Sequence, residues 1–169
     1  APNAPAKLPF AQSSNGLAAG FSEPEAVLHA LCELIERDAS TLWSLRSLGH
    51  CARTAIDLDQ VDDGQVEATL AKLRNAKIQV LAFDLTTDLG LPTVMAIIWS
   101  GTPSLYFDVA SGVCAHPSPI RALLGAMEEA AQTRISNIAG ARDDIEPADY
   151  LQPLPGWLPE LMTKSKPAR

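Results

Sequence analysis

The chain has no apolar run approaching the roughly eighteen residues that a helix needs to cross a bilayer, so the sequence predicts no membrane span. Positive charge is also scarce. Thirteen Lys and Arg stand against twenty Asp and Glu, a net charge of −7. That argues against non-specific binding to nucleic acid, which needs a positive surface. Cysteine is sparse and unpaired in pattern: Cys32, Cys51 and Cys114 are an odd number at wide spacing. They offer no disulfide framework and no C-x-x-C metal pair, and a reducing cytoplasm is the expected setting. There is no G-x-x-x-x-G-K-[ST] phosphate loop and no H-E-x-x-H metal helix. The first residues, APNAPAKLPFAQ, lack a basic stretch followed by an apolar one, so they do not read as a signal peptide.

What is present is globular. The 169 residues suffice for one domain with a core, and 47% hydrophobic with 20% charged residues are ordinary values for one. Residues 1–13 read as a loop or edge segment. A helix is predicted from Ser22 to about Leu45. Ser22 and Glu25 form an S-x-x-E capping box, Pro24 is tolerated in the first turn, and Ala26, Val27, Leu31, Leu34, Ile35 and Leu42 recur at helical spacing. Ala55–Leu58 reads as a short strand. Gln65–Asn75 reads as a helix with Val66, Leu70 and Leu73 inward. Ile78–Leu85 and Thr93–Trp99 are rich in β-branched residues and read as buried strands. Ser104–Val109 is predicted as a further strand and Ser111–Pro117 as a loop. Ser118 and Gly140 bracket a second long helix that opens on Pro119. Past Ile145 the chain turns proline-rich, with Leu154 and Trp157 as its apolar anchors. The expected architecture is α+β: two long helices packed with a mostly antiparallel sheet, a domain over 1–145 and a tail over 146–169.

On the first helix Glu25, His29, Glu33 and Glu36 fall within about 80° of one another. Three carboxylates in one stripe repel unless something positive joins them, and a magnesium ion would suit their oxygens. Periodicity alone favours a solvated face, with Arg37 as a local neutraliser, over a metal site. On the second long helix Arg134 falls near the centre of an apolar sector made by Leu123, Met127, Ala130, Ala131 and Ile138. A cation there needs a partner: a phosphate, a carboxylate such as Asp38, or a route outward past small neighbours. His116, before Pro117, reads more readily as a structural hydrogen bonder than as a functional group. Trp43, Trp99 and Trp157 read as core or tail anchors.

Two longer patterns go further. One comprises Ser14-Asn15-Gly16, Ala18, Gly20, Glu25-Ala26 and Glu33-Leu34-Ile35-Glu36-Arg37. The other comprises Gly112 to Pro117 ending in His116-Pro117, then Ala122 to Arg134 with Glu129, Gln132 and Arg134 in register, then Ile138 to Asp144. Together they resemble the YcaO family, whose members use ATP to activate backbone amides of peptides. The resemblance implies ATP and magnesium as cofactors. It implies that Glu25, Arg37, Gln132 and Arg134 contact nucleotide, and that Glu33, Glu36 and Glu129 hold metal; Arg142 is a weaker phosphate candidate. It assigns no catalytic residue. In such proteins ATP phosphorylates the amide oxygen. A side-chain nucleophile gives an azoline and external sulfide gives a thioamide. The wording of the first helix looks closest to stand-alone members that work beside a TfuA-type partner, which points to thioamidation. A peptide substrate and a homo-oligomer are expected. Family members are longer, and an earlier acidic-arginine segment finds no match in residues 1–13, so only part of the nucleotide site is expected here. Ala18 and Phe21 stand where many relatives carry a serine and an asparagine that contact nucleotide, and neither can hydrogen-bond. The alternative they favour is a non-catalytic YcaO-like binding or scaffold protein.

Overall fold

The computed structural model describes residues 13–140 and 145–165. Arg142 and most of the segment 1–13 lie outside the described residues. The first helix, α1, spans Glu23–Ser44 with Ser22 extended before it and Pro24 in its first turn. Neither half of the expected capping box forms. The Ser22 side chain makes no cap bond, and Glu25 Oε2 accepts instead from the Phe21 N–H at 2.8 Å.

A short helix α2, Leu48–Arg53, is capped by Ser47; its sequence carries too few apolar repeats to announce it. Strand β1 is only Ala55–Ile56, because the chain then turns into a 3-10 turn at Leu58–Gln60. Helix α3, Gly64–Asn75, starts where the Asp63 carboxylate accepts from the N–H groups of Gln65 and Val66. Strands β2, Ile78–Asp84, and β3, Thr93–Ser100, lie where their β-branched residues predict.

The next two assignments are reversed. Ser104–Val109 is not a strand: Tyr106–Asp108 form a 3-10 turn, and Leu105 makes an isolated bridge to Pro153. The strand is Val109–Ala115, β4, in the stretch that reads as a loop. Helix α4 spans Pro119–Ala139, with Ser118 at its N-cap and Gly140 left-handed at its C-cap. Helix α5, Trp157–Lys164, follows.

The sheet runs β1-β2-β3-β4, every neighbour antiparallel. Side chains alternate between its faces. Val94, Ala96 and Ile98 of β3 meet Val66 and Leu70 of α3 and Leu123, Met127 and Ala130 of α4. Ile97 and Trp99 meet Ala39 and Trp43 of α1, Cys51 of α2, and Leu158, Leu161 and Met162 of α5. The result is three layers, helix–sheet–helix, with a core on each face. The proline-rich segment therefore joins the second core through α5 and Leu154, whereas Trp157 stays half exposed.

The first helix is turned the other way from its apolar pattern. Val27, Leu31, Leu34 and Leu42 are exposed, while Cys32, Ala39 and Trp43 are buried. Only one side of α1 reaches the sheet, and that side carries Glu36 between Cys32 and Ala39. The acidic stripe, not the leucine stripe, faces the protein. On α4, likewise, Ile138 is exposed rather than inward. No helix among the described residues is long and apolar enough to cross a membrane.

Candidate nucleotide and metal site

Strand β4 is the open edge of the sheet. An edge strand presents unpaired N–H groups, and here two of them are taken by carboxylates. Val113 N–H donates to Glu129 Oε2 at 2.9 Å, and Ala115 N–H donates to Glu36 Oε2 at 3.3 Å. The two N–H groups lie about 7 Å apart along the strand. Glu129 comes from α4 and Glu36 from α1, so two helices converge on one strand edge with a negative charge each.

The sequence of β4 makes this approach possible. It reads VASGVCA, two valines among small residues with little strand propensity. At Gly112 a β-carbon would collide with the Ala126 carbonyl and the Ala130 N–H of α4. At Gly125 one would meet Cys114 Sγ. The two glycines let α4 lie directly on β4, and that contact brings Glu129 to the edge.

The pair is electrostatically tense. Burial pushes the Glu36 carboxyl up from 4.5 to about 7, and the charge of Glu129 adds to the rise. The Ala115 N–H and Arg37 pull the other way. Between the two acids lies Cys114, pushed up to about 11 by burial and then by the charges of Glu36 and Glu129. Cys32 is raised by burial and by Glu36. Both cysteines are free, as is Cys51. A thiol held protonated is no nucleophile at neutral pH.

Glu33, one turn before Glu36, is engaged differently. Its Oε2 accepts from Gly16 N–H at 2.6 Å, and its Oε1 pairs with Arg37 Nε at 3.0 Å. Gly16 needs its left-handed φ of +79° to offer that N–H. The S-N-G segment is thus tied to α1 by Glu33. His29 Nδ1 lies 3.1 Å from the Ala19 carbonyl. Glu25 is spent on the Phe21 N–H and stands about 16 Å up the helix axis from Glu36. Gln132, Thr133, Ser136 and Asn137 form a shallow polar pocket beside Glu129 on α4, so Gln132 joins Glu129.

Arg134 does not join them. Its guanidinium donates to the Asp108 carbonyl at 3.3 Å and to Ser100 Oγ at 2.9 Å. The suggested partner Asp38 is exposed and is not its partner. His116 Nδ1 accepts from Ser118 N–H at 2.9 Å, the structural role its setting suggests. Phe21 is fully exposed.

The structure therefore gathers Glu36, Glu129 and Gln132, holds Glu33 and Arg37 one helical turn away, and leaves Glu25 and Arg134 at its margins. Among the described residues no group of three or more His, Cys, Asp or Glu is gathered tightly enough to hold a metal by itself. Two facing carboxylates nonetheless fit magnesium, which binds through one or two protein carboxylates and completes its shell with phosphate oxygens and water. The raised Glu36 is the specific sign of fit: a divalent cation there relieves the repulsion that protonation relieves otherwise.

A domain of two helical layers about an antiparallel sheet, with paired acids on a glycine-lined edge, defines a class, and sequence comparison names it. The chain matches, over residues 1–161, the family described as YcaO cyclodehydratase, ATP- and Mg2+-binding. The chain belongs to the YcaO family. It is 42% identical over 146 residues to an uncharacterized protein in the tfuA 3′ region of Rhizobium leguminosarum bv. trifolii, a match covering 83% of this chain and 35% of that protein. The chain thus spans about a third of the length of that relative. Among solved structures, a heterocyclase in complex with substrate and cofactor superposes with a TM-score of 0.65 at 26% identity, covering 96% of this chain and 25% of the other. YcaO from Methanopyrus kandleri bound with AMPPCP and Mg2+ gives 0.67 at 22% identity, covering 96% and 41%; at that identity it supports the fold alone.

Proposed function

We propose that the chain contributes part of an ATP- and magnesium-dependent site that activates peptide backbone amides for azoline or thioamide formation. The observation that carries this reading is the Glu36–Glu129 pair on the open edge of β4. A half-buried acid, Glu36, repelled by the more exposed Glu129 beside a polar pocket, forms half of a site for a cation and the phosphates it binds. Catalysis of phosphoryl transfer is mostly positioning and charge neutralisation. Magnesium, when bound, would neutralise phosphate charge. In this reading Glu36 and Glu129 hold the metal and Glu33 supports it from one turn away. Gln132 and Arg37 reach the nucleotide, with Glu25 and Arg134 bracing the site's margins. The β4 N–H groups hold both metal carboxylates in place without neutralising them.

The genomic setting of the Rhizobium relative supports a TfuA-type partner and thioamidation as the finer assignment. A homo-oligomer would complete a site that this chain fills in part. The alternative of a non-catalytic scaffold is favoured by Ala18 and by Phe21, whose exposed ring offers nucleotide no hydrogen bond.

The test incubates the protein with ATP, magnesium and a peptide containing cysteine, serine and threonine, with and without sulfide and a TfuA-type protein. Mass spectrometry then separates the outcomes. Loss of water marks an azoline, and exchange of oxygen for sulfur marks a thioamide. Absence of peptide modification and of ATP turnover in every arm contradicts the enzymatic reading and supports the scaffold.

A further inference from the structure

The opposite edge of the sheet is also open among the described residues, and for a different reason. β1 meets β2 only at Ala55↔Phe83 and Ile56↔Ala82, with the Asp84 N–H reaching the Thr54 carbonyl just beyond. Antiparallel pairing alternates the direction of backbone groups along a strand. The N–H and C=O of Ile78 and Val80 therefore point the same way as those of Ala82 and Asp84, away from β3. After Ile56 the chain leaves the edge for the turn at Leu58–Gln60. Among the described residues no backbone group pairs with the outward N–H or C=O of Ile78 or Val80.

A groove of about 750 Å³ follows this uncovered half of β2, within the range of about 300–1,000 Å³ typical of ligand sites. It has walls on both faces of the sheet. Leu58 and Leu70 line one side; Leu81, Trp99 and Ser165 line the other. Ser165 is only 5% exposed, and its Oγ has no hydrogen-bond partner among the described residues. A buried hydroxyl without a partner is a rare and unfavourable arrangement. The rim carries Asp57, and Asp59 paired with Arg74 at 3.2 Å.

We infer that this edge binds an extended segment of the substrate peptide as an added antiparallel strand; the inference rests on the reading above that the substrate is a peptide. An apolar solute would leave the backbone groups of Ile78 and Val80, and Ser165 Oγ, unsatisfied. An extended chain presents outward N–H and C=O groups at a repeat of about 6.8 Å, matching Ile78 and Val80. Its side chains then point alternately to the two walls, so apolar residues at alternate positions fit the leucine side. At the rim Asp57 favours a flanking lysine or arginine, Asp59 being already paired with Arg74. β2 lies two strands, roughly 10 Å, from β4. A segment held here is thus distinct from the amide presented to the Glu36–Glu129 edge, and serves to anchor the peptide.

The probe is a fluorescein-labelled peptide, Lys-Val-Thr-Val-Thr-Val-Lys, titrated into the chain without nucleotide and read by anisotropy. Saturable binding is expected. Two analogues, N-methylated on alternate sets of amides, should separate: methylating the amides that face β2 abolishes binding, and methylating the other set does not. Val80→Pro removes the outward N–H while leaving the Gln79 and Leu81 N–H groups to pair with β3. It should weaken binding about tenfold, as expected for loss of a backbone hydrogen bond, and Ser165→Ala should weaken it less. Neither substitution should alter magnesium–nucleotide binding. No binding of the parent peptide, or equal binding of both methylated peptides to the unaltered protein, overturns the inference. Peptide binding that persists in a protein unable to bind nucleotide contradicts the functional reading instead and leaves the groove standing.

Discussion

Replacing Glu36 by Gln should stabilise the metal-free protein at pH 8 and do so far less at pH 5. Glu36 is an acid whose folded-state pKa is raised from 4.5 to about 7 by burial and by Glu129. The folded state then binds more protons than the unfolded state between those values, so this group's contribution to stability is present below pH 4.5 and is lost as pH rises to about 7. The full shift corresponds to about 3.4 kcal/mol. Glu36 is partly open to solvent, and screening reduces the figure to about 1–2 kcal/mol. In a chain of this size that is a rise in Tm of about 3–6 °C at pH 8. Glutamine keeps an oxygen to accept from the Ala115 N–H and removes the charge. The assay is thermal unfolding in EDTA, followed by circular dichroism at pH 5 and pH 8. A loss of stability at pH 8, or an equal gain at both pH values, would refute the picture of two acids forced together on the β4 edge.

Other outcomes follow from the same geometry. Alkylation of Cys114 by iodoacetamide should be slow at pH 8 and speed up only toward about pH 11, and Glu36→Gln should accelerate it because one of the charges raising that thiol is gone; peptide mapping of the labelled cysteines reads the result. Gly112→Ala should destabilise by about 1–3 kcal/mol, since the new methyl meets the α4 backbone rather than a flexible side chain, and urea denaturation measures it. Glu33→Gln should speed hydrogen exchange at Gly16 by loosening a 2.6 Å bond, while leaving the Ala115 amide as protected as before.

The sequence announces most of the scaffold and one half of the candidate site. α1, α3, α4, β2 and β3 follow from apolar periodicity, β-branched runs and caps, and they lie within a few residues of their expected ends. The residues of β4 do not announce a strand, because in Val109–Ala115 only Val109 and Val113 are β-branched and the rest are alanine, serine, glycine and cysteine. Their strand geometry is imposed by pairing with β3 and by a helix that needs a flat, small-residue surface. The stripe on α1 is legible as acidic, yet its direction is not. Six apolar residues argue for burial of the opposite side, and only the tertiary arrangement shows that Cys32, Ala39 and Trp43 are the ones covered. Glu129 lies on what reads as the border of the polar face of α4; its role beside Glu36 depends on two glycines, Gly112 and Gly125, that periodicity treats as neutral. Arg134 stands out in the sequence as a cation among apolar residues, and among the described residues it is satisfied by a carbonyl and a hydroxyl.

The central claim is that Glu36 and Glu129 together hold a magnesium ion for nucleotide phosphates. Isothermal titration of magnesium with a non-hydrolysable ATP analogue, against the unaltered protein, Glu36→Gln and Glu129→Gln, tests it most directly. The account predicts saturable binding that strengthens as pH rises through about 7, where Glu36 loses its proton, and that is lost in both variants. Binding that is as tight in the variants as in the unaltered protein, or that is insensitive to pH across that range, would contradict it.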